Sequence, residues 1–331
     1  MESRSLGKTG LTVSTLGFGC GNVGGLIIRG TPAERERAVA RAMELGVNYF
    51  DTAPSYGDGE SERNLGQVLK ALRARVHVGT KFRLDPHDLH DIPGAVARSL
   101  DLSLKRLGME RVDLLQLHNR IEPARGAGAL SLGDVLSEVV PAVQKLRQQG
   151  KVGFCGITAL GETRALHQAI DAGTIDTAQV CYNLLNPSAG AAVPSGFPAQ
   201  DFGGLLDRTR KRRVGVIVIR ALAAGALSGV ETRHPVAVPS VDPIATAPDY
   251  GTDVARAQRL GALVREGHVG SLIEASIRLA VGSDAVSTVL VGYSSLEHLE
   301  AAAAAVDRGP LPAAALERLA ALWSGLASRP G

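Results

Sequence analysis

Apolar and polar positions alternate along the chain in two patterns. Short runs of aliphatic and β-branched residues are typical of buried parallel strands and predict strands at residues 16–21, 47–51, 76–80, 112–117, 152–157, 177–182, 214–219 and 286–291. The segments between them carry apolar residues at helical spacing, which predicts helices at residues 32–44, from 61 onward, 93–107, 132–149, 162–172, 203–212, 271–281 and 295–306.

Eight strands that alternate with eight helices predict an α/β protein built as a closed (β/α)8 barrel, the TIM barrel. A doubly wound open sheet is the competing fold. Loose alternation around a Lys-Thr-Gly turn at residues 3–13 predicts an N-terminal β-hairpin, and residues 312–325 predict an extra C-terminal helix. No linker divides the 331 residues, so we expect a single barrel domain over residues 1–331.

Three long connections interrupt the alternation, at residues 119–131, 183–202 and 225–270. Each follows a predicted strand, so each is expected at the C-terminal face of the barrel, where the active sites of such barrels lie. Connections of this length are usually functional lids or disordered segments.

Composition narrows the range of partners. The formal net charge is +3, with 21% charged and 4% aromatic residues, so neither nucleic acid nor a membrane is expected as a partner. The N-terminus lacks the apolar core of a signal peptide and no apolar run could span a bilayer, so we expect a cytoplasmic protein. Cys20, Cys155 and Cys181 lack CxxC spacing and are expected to be reduced core thiols.

Reactive polar residues lie where three predicted strands end. Asp51 ends the second strand, Tyr56 lies in the loop beyond it, Lys81 follows the third strand and His118 follows the fourth. Because the C-terminal ends of neighbouring parallel strands meet at one rim, we expect these four side chains to converge. Any one of them alone is better explained as a cap or a rim residue, whereas the four together favour catalysis.

The chemistry of these residue types is complementary. An unperturbed tyrosine hydroxyl has a pKa near ~10, so it is a poor proton donor at neutral pH unless its anion is stabilised. The ammonium of Lys81 can provide that stabilisation, and the carboxylate of Asp51 can keep the lysine charged and oriented. His118 can then place an N–H against a carbonyl oxygen that gains negative charge.

Motifs around these residues resemble the aldo-keto reductase family over nearly the whole chain. Residues 4–14 are similar to that family's N-terminal hairpin, and residues 50–57, Phe-Asp-Thr-Ala-Pro-Ser-Tyr-Gly, to its first signature. Thr80-Lys81 and residues 114–118, Leu-Leu-Gln-Leu-His, are similar to two further signatures. The resemblance implies a barrel that binds a nicotinamide dinucleotide without a Rossmann domain, and no strand-linked GxGxxG is present.

The resemblance also implies roles for individual residues. Tyr56 would be the general acid, Lys81 and Asp51 its tuning pair, and His118 the residue that orients the carbonyl. Residues 220–229 resemble the loop that wraps the pyrophosphate, and residues 291–298 the turn that receives the adenosine end. The implied cofactor-binding residues are Gly21, Asp51, Thr158, Gln179, Arg220, Leu222, Gly225, Ser294, Ser295 and His298.

Departures from the family pattern affect the cofactor. Ile219 stands where many members stack a tyrosine on the nicotinamide, and Ala301 and Ala302 replace an adenine-contacting Glu-Asn pair. Positions 294 and 295, where a 2′-phosphate would be held, carry serines (Ser294 and Ser295) and neither Arg nor Lys. Because members of the resembled family usually use NADP(H), NADP(H) is nevertheless favoured over NAD(H).

The expected function is the NAD(P)-dependent interconversion of an aldehyde, ketone or aldose with the corresponding alcohol or lactone. The overall layout is similar to the bacterial aldose dehydrogenase-like branch, with a small carbonyl or sugar substrate and a monomer or small homo-oligomer. The alternative is a nicotinamide-binding regulatory subunit of the same barrel family, which acts through protein contacts.

No metal site is expected. His87 and His90 lie three apart among carboxylates at residues 85–91, where a solvated loop is a better explanation than metal ligation. A metal-dependent barrel hydrolase would need clustered His and carboxylates at several strand ends, and only His118 lies at one.

Overall fold

The computed structural model describes residues 1–327, so residues 328–331 of the expected domain lie outside the described residues. Strands β1 (Ser3–Ser5) and β2 (Thr12–Ser14) form the predicted N-terminal hairpin. The barrel strands and a small two-stranded sheet follow: β3 (Leu16–Gly19), β4 (Tyr49–Asp51), β5 (His77–Phe82), β6 (Val112–Leu117), β7 (Arg120–Glu122), β8 (Ala129–Ser131), β9 (Val152–Thr158), β10 (Thr177–Cys181), β11 (Gly215–Ile219) and β12 (Thr288–Gly292).

Eight parallel strands close the barrel in the order β3, β4, β5, β6, β9, β10, β11 and β12. Strand β12 pairs with β3 from Val289–Leu16 to Gly292–Gly19, which completes the circle. This closure confirms the predicted (β/α)8 barrel and excludes the open doubly wound sheet.

Helices surround the barrel. Four precede β6, namely α1 (Leu26–Arg29), α2 (Pro32–Glu44), α3 (Glu60–Ala71) and α4 (Ile92–Leu107). The others are α5 (Leu132–Asp134), α6 (Val140–Gln148), α7 (Thr163–Asp171), α8 (Leu205–Lys211), α9 (Tyr250–Leu260), α10 (Ala262–Arg265), α11 (Leu272–Val281), α12 (Leu296–Asp307) and α13 (Ala313–Ala327). Local sequence sets several of their ends: Thr31 and Glu34 form a capping box before α2, and Gly108 ends α4 at a φ of 64°.

Two predicted segments differ from the structure in the kind of element they contain, one in a helix and one in a connection. The helix expected at 132–149 contains a π turn at Val135–Val139, where the Val140 N–H bonds to the Val135 carbonyl. Pro141 follows directly and has no N–H to donate, which favours a local departure from α-helical hydrogen bonding. The connection expected at 225–270 contains α9 and α10, and the Asp249 side chain caps α9 by accepting the Thr252 N–H.

The hairpin closes the N-terminal end of the barrel. Leu6 and Val13 are fully buried against Tyr49, Leu114 and Ile217, whose side chains point into the barrel. Because side chains alternate along a strand, Tyr49 and Asp51 both face the barrel interior while Phe50 packs outward with the larger core. The same alternation places Leu114 and Gln116 inside.

The connection after β10 is ordered by hydrogen bonds. The Asn186 amide donates to the Gln200 carbonyl at 2.8 Å and to the Ala245 carbonyl at 2.6 Å. Trp323 of the predicted C-terminal helix donates its indole N–H to the Leu184 carbonyl at 2.8 Å. Helix α13 therefore supports a loop at the C-terminal face of the barrel.

Candidate active site

An ion pair lies inside the C-terminal end of the barrel. The Lys81 ammonium on β5 contacts Oδ1 of Asp51 on β4 and also donates to the Thr52 carbonyl at 2.9 Å. Both charged side chains are 1% exposed. Buried charges persist when they are paired and hydrogen-bonded, and this pair meets both conditions.

The balance of forces on Lys81 keeps it charged. Burial lowers the pKa of the ammonium, but the Asp51 carboxylate and Tyr56 raise it more, so the net shift is upward from 10.5. Lys81 therefore carries a full positive charge at neutral pH, in a place from which water is excluded.

Tyr56 lies against this charge. The Lys81 Nζ is 4.9 Å from the centre of the Tyr56 ring, and the ring is half-buried at the wall of a cavity. A Cβ at Gly21 would lie 3.4 Å from the ring, so the glycine lets the backbone approach it. The predicted convergence of Asp51, Tyr56 and Lys81 is the arrangement that the structure has.

His118 completes the wall beside the tyrosine. Its backbone N–H bonds to the Phe82 carbonyl at 2.8 Å, which fixes the residue just past the end of β6. The His118 and Tyr56 rings lie edge to face with centres 6.1 Å apart. Burial, with help from the positive charges of Lys81 and Arg83, lowers the pKa of His118 to about 3. The imidazole is therefore neutral and has one N–H to donate.

The second oxygen of Asp51 accepts three hydrogen bonds. Oδ2 receives the Tyr49 hydroxyl at 2.8 Å, the Gln116 amide at 2.9 Å and the Gln179 amide at 2.7 Å. Neither Tyr49 nor Gln116 is among the site residues predicted from the sequence. The signal available for both was the period-two alternation that places Tyr49 on the face of Asp51 and Gln116 two residues before His118.

A cavity of about 760 Å³ opens above these residues, a size that suits a cofactor or drug-sized ligand. It runs from Asp51, Tyr56 and His118 across the ends of β9 to β12. Nearly all the cofactor-binding residues implied by the resemblance line it, namely Gly21, Asp51, Thr158, Gln179, Arg220, Leu222, Gly225, Ser294 and His298. Ser295 instead caps α12, where its hydroxyl accepts the His298 N–H at 3.4 Å.

One buried polar atom in this wall has no partner. The Thr158 hydroxyl lies at the end of β9, is buried, and has no hydrogen-bond partner among residues 1–327. Its strand neighbour Gln179 uses one amide N–H on Asp51, which leaves the other N–H and the amide oxygen for a ligand. An unpaired hydroxyl beside a free amide suits a ligand that carries a carboxamide.

The wall after β11 has an unusual backbone. Arg220, Ala223, Ala224 and Gly225 have φ values of 55°, 47°, 57° and 106°. Left-handed conformations at three non-glycine residues are costly and are concentrated at functional sites. The turn that they form lines the cavity at the position implied for the pyrophosphate.

A strap, residues 230–244, crosses the cavity beyond this turn. Arg233 donates to the carbonyls of Ala224 at 2.7 Å and Val238 at 2.7 Å. Arg29 holds the strap from the other side through the Val236 carbonyl at 2.6 Å. Because both guanidinium groups bind backbone carbonyls, the strap is joined to both sides of the opening.

Two imidazoles mark the far end of the cavity. The rings of His234 on the strap and His298 on α12 lie 5.8 Å apart and both line the wall. Burial, followed by the neighbouring His234, lowers the pKa of His298 from 6.5. Ser294 next to them donates its hydroxyl to the Gly24 carbonyl at 2.7 Å.

The histidine-containing loop and the cysteines lie outside this cavity. Potential ligand atoms of Asp85, His87 and Asp88 lie within 4.8 Å of one another, but the two carboxylates cap a 3₁₀ turn at Pro86–His90. His90 is not part of that group. The three cysteines are free and buried, and burial raises the pKa values of Cys155 and Cys181 to about 12.

Comparison with known proteins gives a consistent result. Residues 15–324 match the sequence model of the aldo/keto reductase family. An L-galactose dehydrogenase from Arabidopsis thaliana is 34% identical over 92% of this chain and 88% of its own. A D-threo-aldose 1-dehydrogenase from a Pseudomonas species is 29% identical over 96% of this chain and 94% of its own.

The fold comparison agrees. The holo form of an aldo-keto reductase from Bacillus halodurans superposes with a TM-score of 0.72 at 24% identity, covering 97% of this chain and 96% of that one. Over residues 1–327, none of the helices is both long and apolar enough to cross a membrane.

Proposed function

The chain belongs to the aldo/keto reductase family, and from this membership we propose that it interconverts an aldose or other carbonyl with the corresponding lactone or alcohol, with Tyr56 as the proton relay. Family membership makes it an NAD(P)-dependent oxidoreductase. The observation that carries the finer proposal is the position of Tyr56, whose ring faces the cavity and lies 4.9 Å from the buried ammonium of Lys81.

The proton step follows from that geometry. In the direction of reduction, the Tyr56 hydroxyl gives its proton to the carbonyl oxygen, and in the direction of oxidation the tyrosinate takes it back from the alcohol. The fixed charge of Lys81 stabilises the tyrosinate in both directions. Asp51 holds the ammonium in place and keeps it protonated, so it acts on the reacting oxygen through Lys81 and Tyr56.

His118 has a separate task. Its neutral imidazole can donate an N–H to the same substrate oxygen, which places that oxygen within reach of Tyr56. An imidazolium would place a second positive charge beside Lys81, and the depressed pKa of His118 prevents this. The division of labour therefore has a physical basis: Tyr56 moves the proton, and His118 orients the oxygen.

The cavity suits a nicotinamide dinucleotide. When bound, such a cofactor supplies or accepts the hydride. Thr158 and Gln179 would hold its carboxamide, because one has an unpaired hydroxyl and the other a free amide edge. The strained turn at Arg220–Gly225 would hold the pyrophosphate, and Ser294 and His298 the adenosine end.

We propose NADP(H) in preference to NAD(H). Family members typically use NADP(H), and the imidazoles of His234 and His298 line the cavity, where each can donate an N–H to a 2′-phosphate. For the substrate we propose an aldose, because the two relatives reported above carry the names of sugar dehydrogenases.

The first test is a turnover assay. Purified protein is incubated with NADPH or NADH and aldehydes, and with NADP⁺ or NAD⁺ and aldoses, while the nicotinamide absorbance is followed. We expect turnover, with Tyr56→Phe lowering kcat by about a hundredfold to ten-thousandfold while cofactor binding is kept. Tyr182→Phe is the matched control, since Tyr182 is buried and does not line the cavity.

The outcomes separate the candidates. Binding of the cofactor without turnover in either direction would favour the regulatory subunit over the enzyme. Turnover that persists in Tyr56→Phe would remove the tyrosine from the proton step. Tighter binding of NAD(H) than of NADP(H) by the wild type would overturn the cofactor preference.

A further inference from the structure

The interior of the barrel beneath the active site contains polar groups that the proton step does not use. Tyr49 on β4 and Gln116 on β6 are both fully buried, and neither lines the cavity. Both nevertheless aim their donors at one atom, Oδ2 of Asp51, at 2.8 and 2.9 Å. A core of aliphatic residues would have filled this space without burying a hydroxyl and an amide.

The barrel makes room for these two side chains with glycines on the neighbouring strands. A Cβ at Gly79 would lie 2.5 Å from the Tyr49 hydroxyl oxygen, and a Cβ at Gly156 would lie 2.8 Å from Cγ of Gln116. Distances this short exclude any larger residue unless the tyrosine or glutamine moves, and at Gly156 the Thr177 hydroxyl oxygen, 2.4 Å from the added Cβ, would have to move as well. Small residues on β5 and β9 are therefore a condition for the hydrogen bonds to Asp51.

The Tyr49 hydroxyl stays protonated here and donates to Asp51. Burial, then the nearby Asp51 charge, raises the pKa of Tyr49 well above 10, so the phenol stays protonated. Its hydrogen points to Oδ2, while Oδ1 of the same carboxylate contacts Lys81. The two oxygens of Asp51 are thus assigned to different partners.

We propose that Tyr49 and Gln116 are positioning residues of the active site, which hold Oδ2 of Asp51 so that Oδ1 stays on Lys81 and thereby set the proton affinity of Tyr56. This inference rests on the proposed role of Tyr56 as proton relay. Donors on Oδ2 withdraw charge from the carboxylate and keep the proton of the ion pair on the lysine. Without these two donors the Asp51 carboxylate becomes more basic and neutralises more of the positive charge of Lys81. The Tyr56 tyrosinate is then stabilised less.

The direction of the effect is therefore fixed: loss of either donor should raise the pKa of Tyr56. Hydrogen bonds to charged groups are stronger than those between neutral groups, so losing one changes the charge on Asp51 appreciably. Part of that change reaches Tyr56 through Lys81. We expect an upward shift of about half a pH unit to one unit for each variant, and a larger shift for the double variant.

The experiment compares Tyr49→Phe, Gln116→Met and the double variant with wild type. Tyrosinate absorbance is titrated in each protein with and without the additional Tyr56→Phe change, and the difference isolates the ionisation of Tyr56. The pH profile of kcat/KM is measured in parallel, and melting temperature reports on folding. Tyr293→Phe is the matched control, because Tyr293 is equally buried and its hydroxyl lies 3.5 Å from the Gly17 carbonyl rather than against Asp51.

Upward shifts of the Tyr56 transition in both single variants, with none in Tyr293→Phe, would support the inference. A lowered melting temperature with an unmoved transition would show that the two residues only fill space, and would overturn it. If Tyr49→Phe does not fold, Gln116→Met decides alone. The absorbance titration needs no turnover, so an inactive wild type would count against the proposed function while the inference is still decided.

Discussion

The neutrality of His118 can be tested through stability. An ordinary histidine has a pKa near 6.5, and burial beside Lys81 lowers the pKa of His118 to about 3 in the folded protein. Between these values the unfolded chain binds a proton that the folded chain refuses. Folded stability that is present above pH ~6.5 should therefore be lost progressively as the pH falls toward ~3.

The magnitude follows from the size of the shift. One pKa unit corresponds to about 1.4 kcal/mol, and the unfolded chain is almost fully protonated at this position at pH ~4.5 while the folded chain is not. Acidification from pH ~7 to ~4.5 should cost the folded state about 2.5 kcal/mol through His118 alone. Carboxylates and other histidines add their own pH dependence, so the quantity of interest is a difference between variants.

The assay is urea unfolding at pH ~7 and ~4.5 for wild type and His118→Gln, which keeps an N–H donor but cannot titrate. Wild type should lose about 2.5 kcal/mol more than His118→Gln between the two pH values. His87→Gln serves as the matched control, because it removes a histidine that is 79% exposed and lies outside the cavity. Equal losses in wild type and His118→Gln, or a His118 ring signal that titrates near pH 6.5 by NMR, would refute the reasoning.

Three further predictions concern the ion pair and the cofactor wall. Lys81→Met should lower the free energy of unfolding, measured by urea titration, by about 3–5 kcal/mol, because it leaves the Asp51 carboxylate buried without a cation. Adding Asp51→Asn should restore part of the lost stability, and a double variant whose loss equals the sum of the two single losses would contradict the pairing. Thr158→Val should leave the melting temperature unchanged and weaken cofactor binding about three- to tenfold in a fluorescence titration. The control is Thr177→Val, which removes an equally unpaired hydroxyl away from the cavity and should leave cofactor binding unchanged. The affinity for NADP⁺ relative to NAD⁺ should rise only below pH ~6.5, as the His298 imidazole beside His234 and Glu297 becomes protonated, and His298→Gln should abolish that rise in calorimetric titrations.

Local sequence was sufficient for the parts of the site that come from one strand and the loop after it. Asp51 and Tyr56 share such a unit, and His118 directly follows β6, so strand ends alone place them at one rim. Lys81 shows the limit of local reasoning. The apolar run predicts a third strand that ends at Thr80 with Lys81 directly after it, whereas β5 continues to Phe82. Its burial is possible only because Asp51 approaches from the neighbouring strand.

Strand alternation could place Tyr49 and Gln116 on the inward faces of β4 and β6, but it does not show that either side chain reaches Oδ2 of Asp51. A tyrosine in an apolar run is explained well enough by packing, and nothing local indicates that its hydroxyl meets a carboxylate. The Tyr49 contact needs the room that Gly79 leaves on β5, and the Gln116 contact depends on strand register; both become visible only when the barrel closes. Helix α9 was not predicted although its signal is local. Asp249 caps it, but the cap follows a long stretch without regular secondary structure.

Most of the groups that surround Asp51 belong to strands: Tyr49 to β4, Lys81 to β5, Gln116 to β6 and Gln179 to β10. The wall that would face a substrate or the adenosine end is made largely by connections, including the strap at 230–244. This separation makes the molecule modular for protein engineering. A library that varies the connections, with Tyr56 and His118 kept fixed, could change what the enzyme accepts while the proton-transfer unit stays intact, whereas randomising the strand interiors would put the chemistry itself at risk.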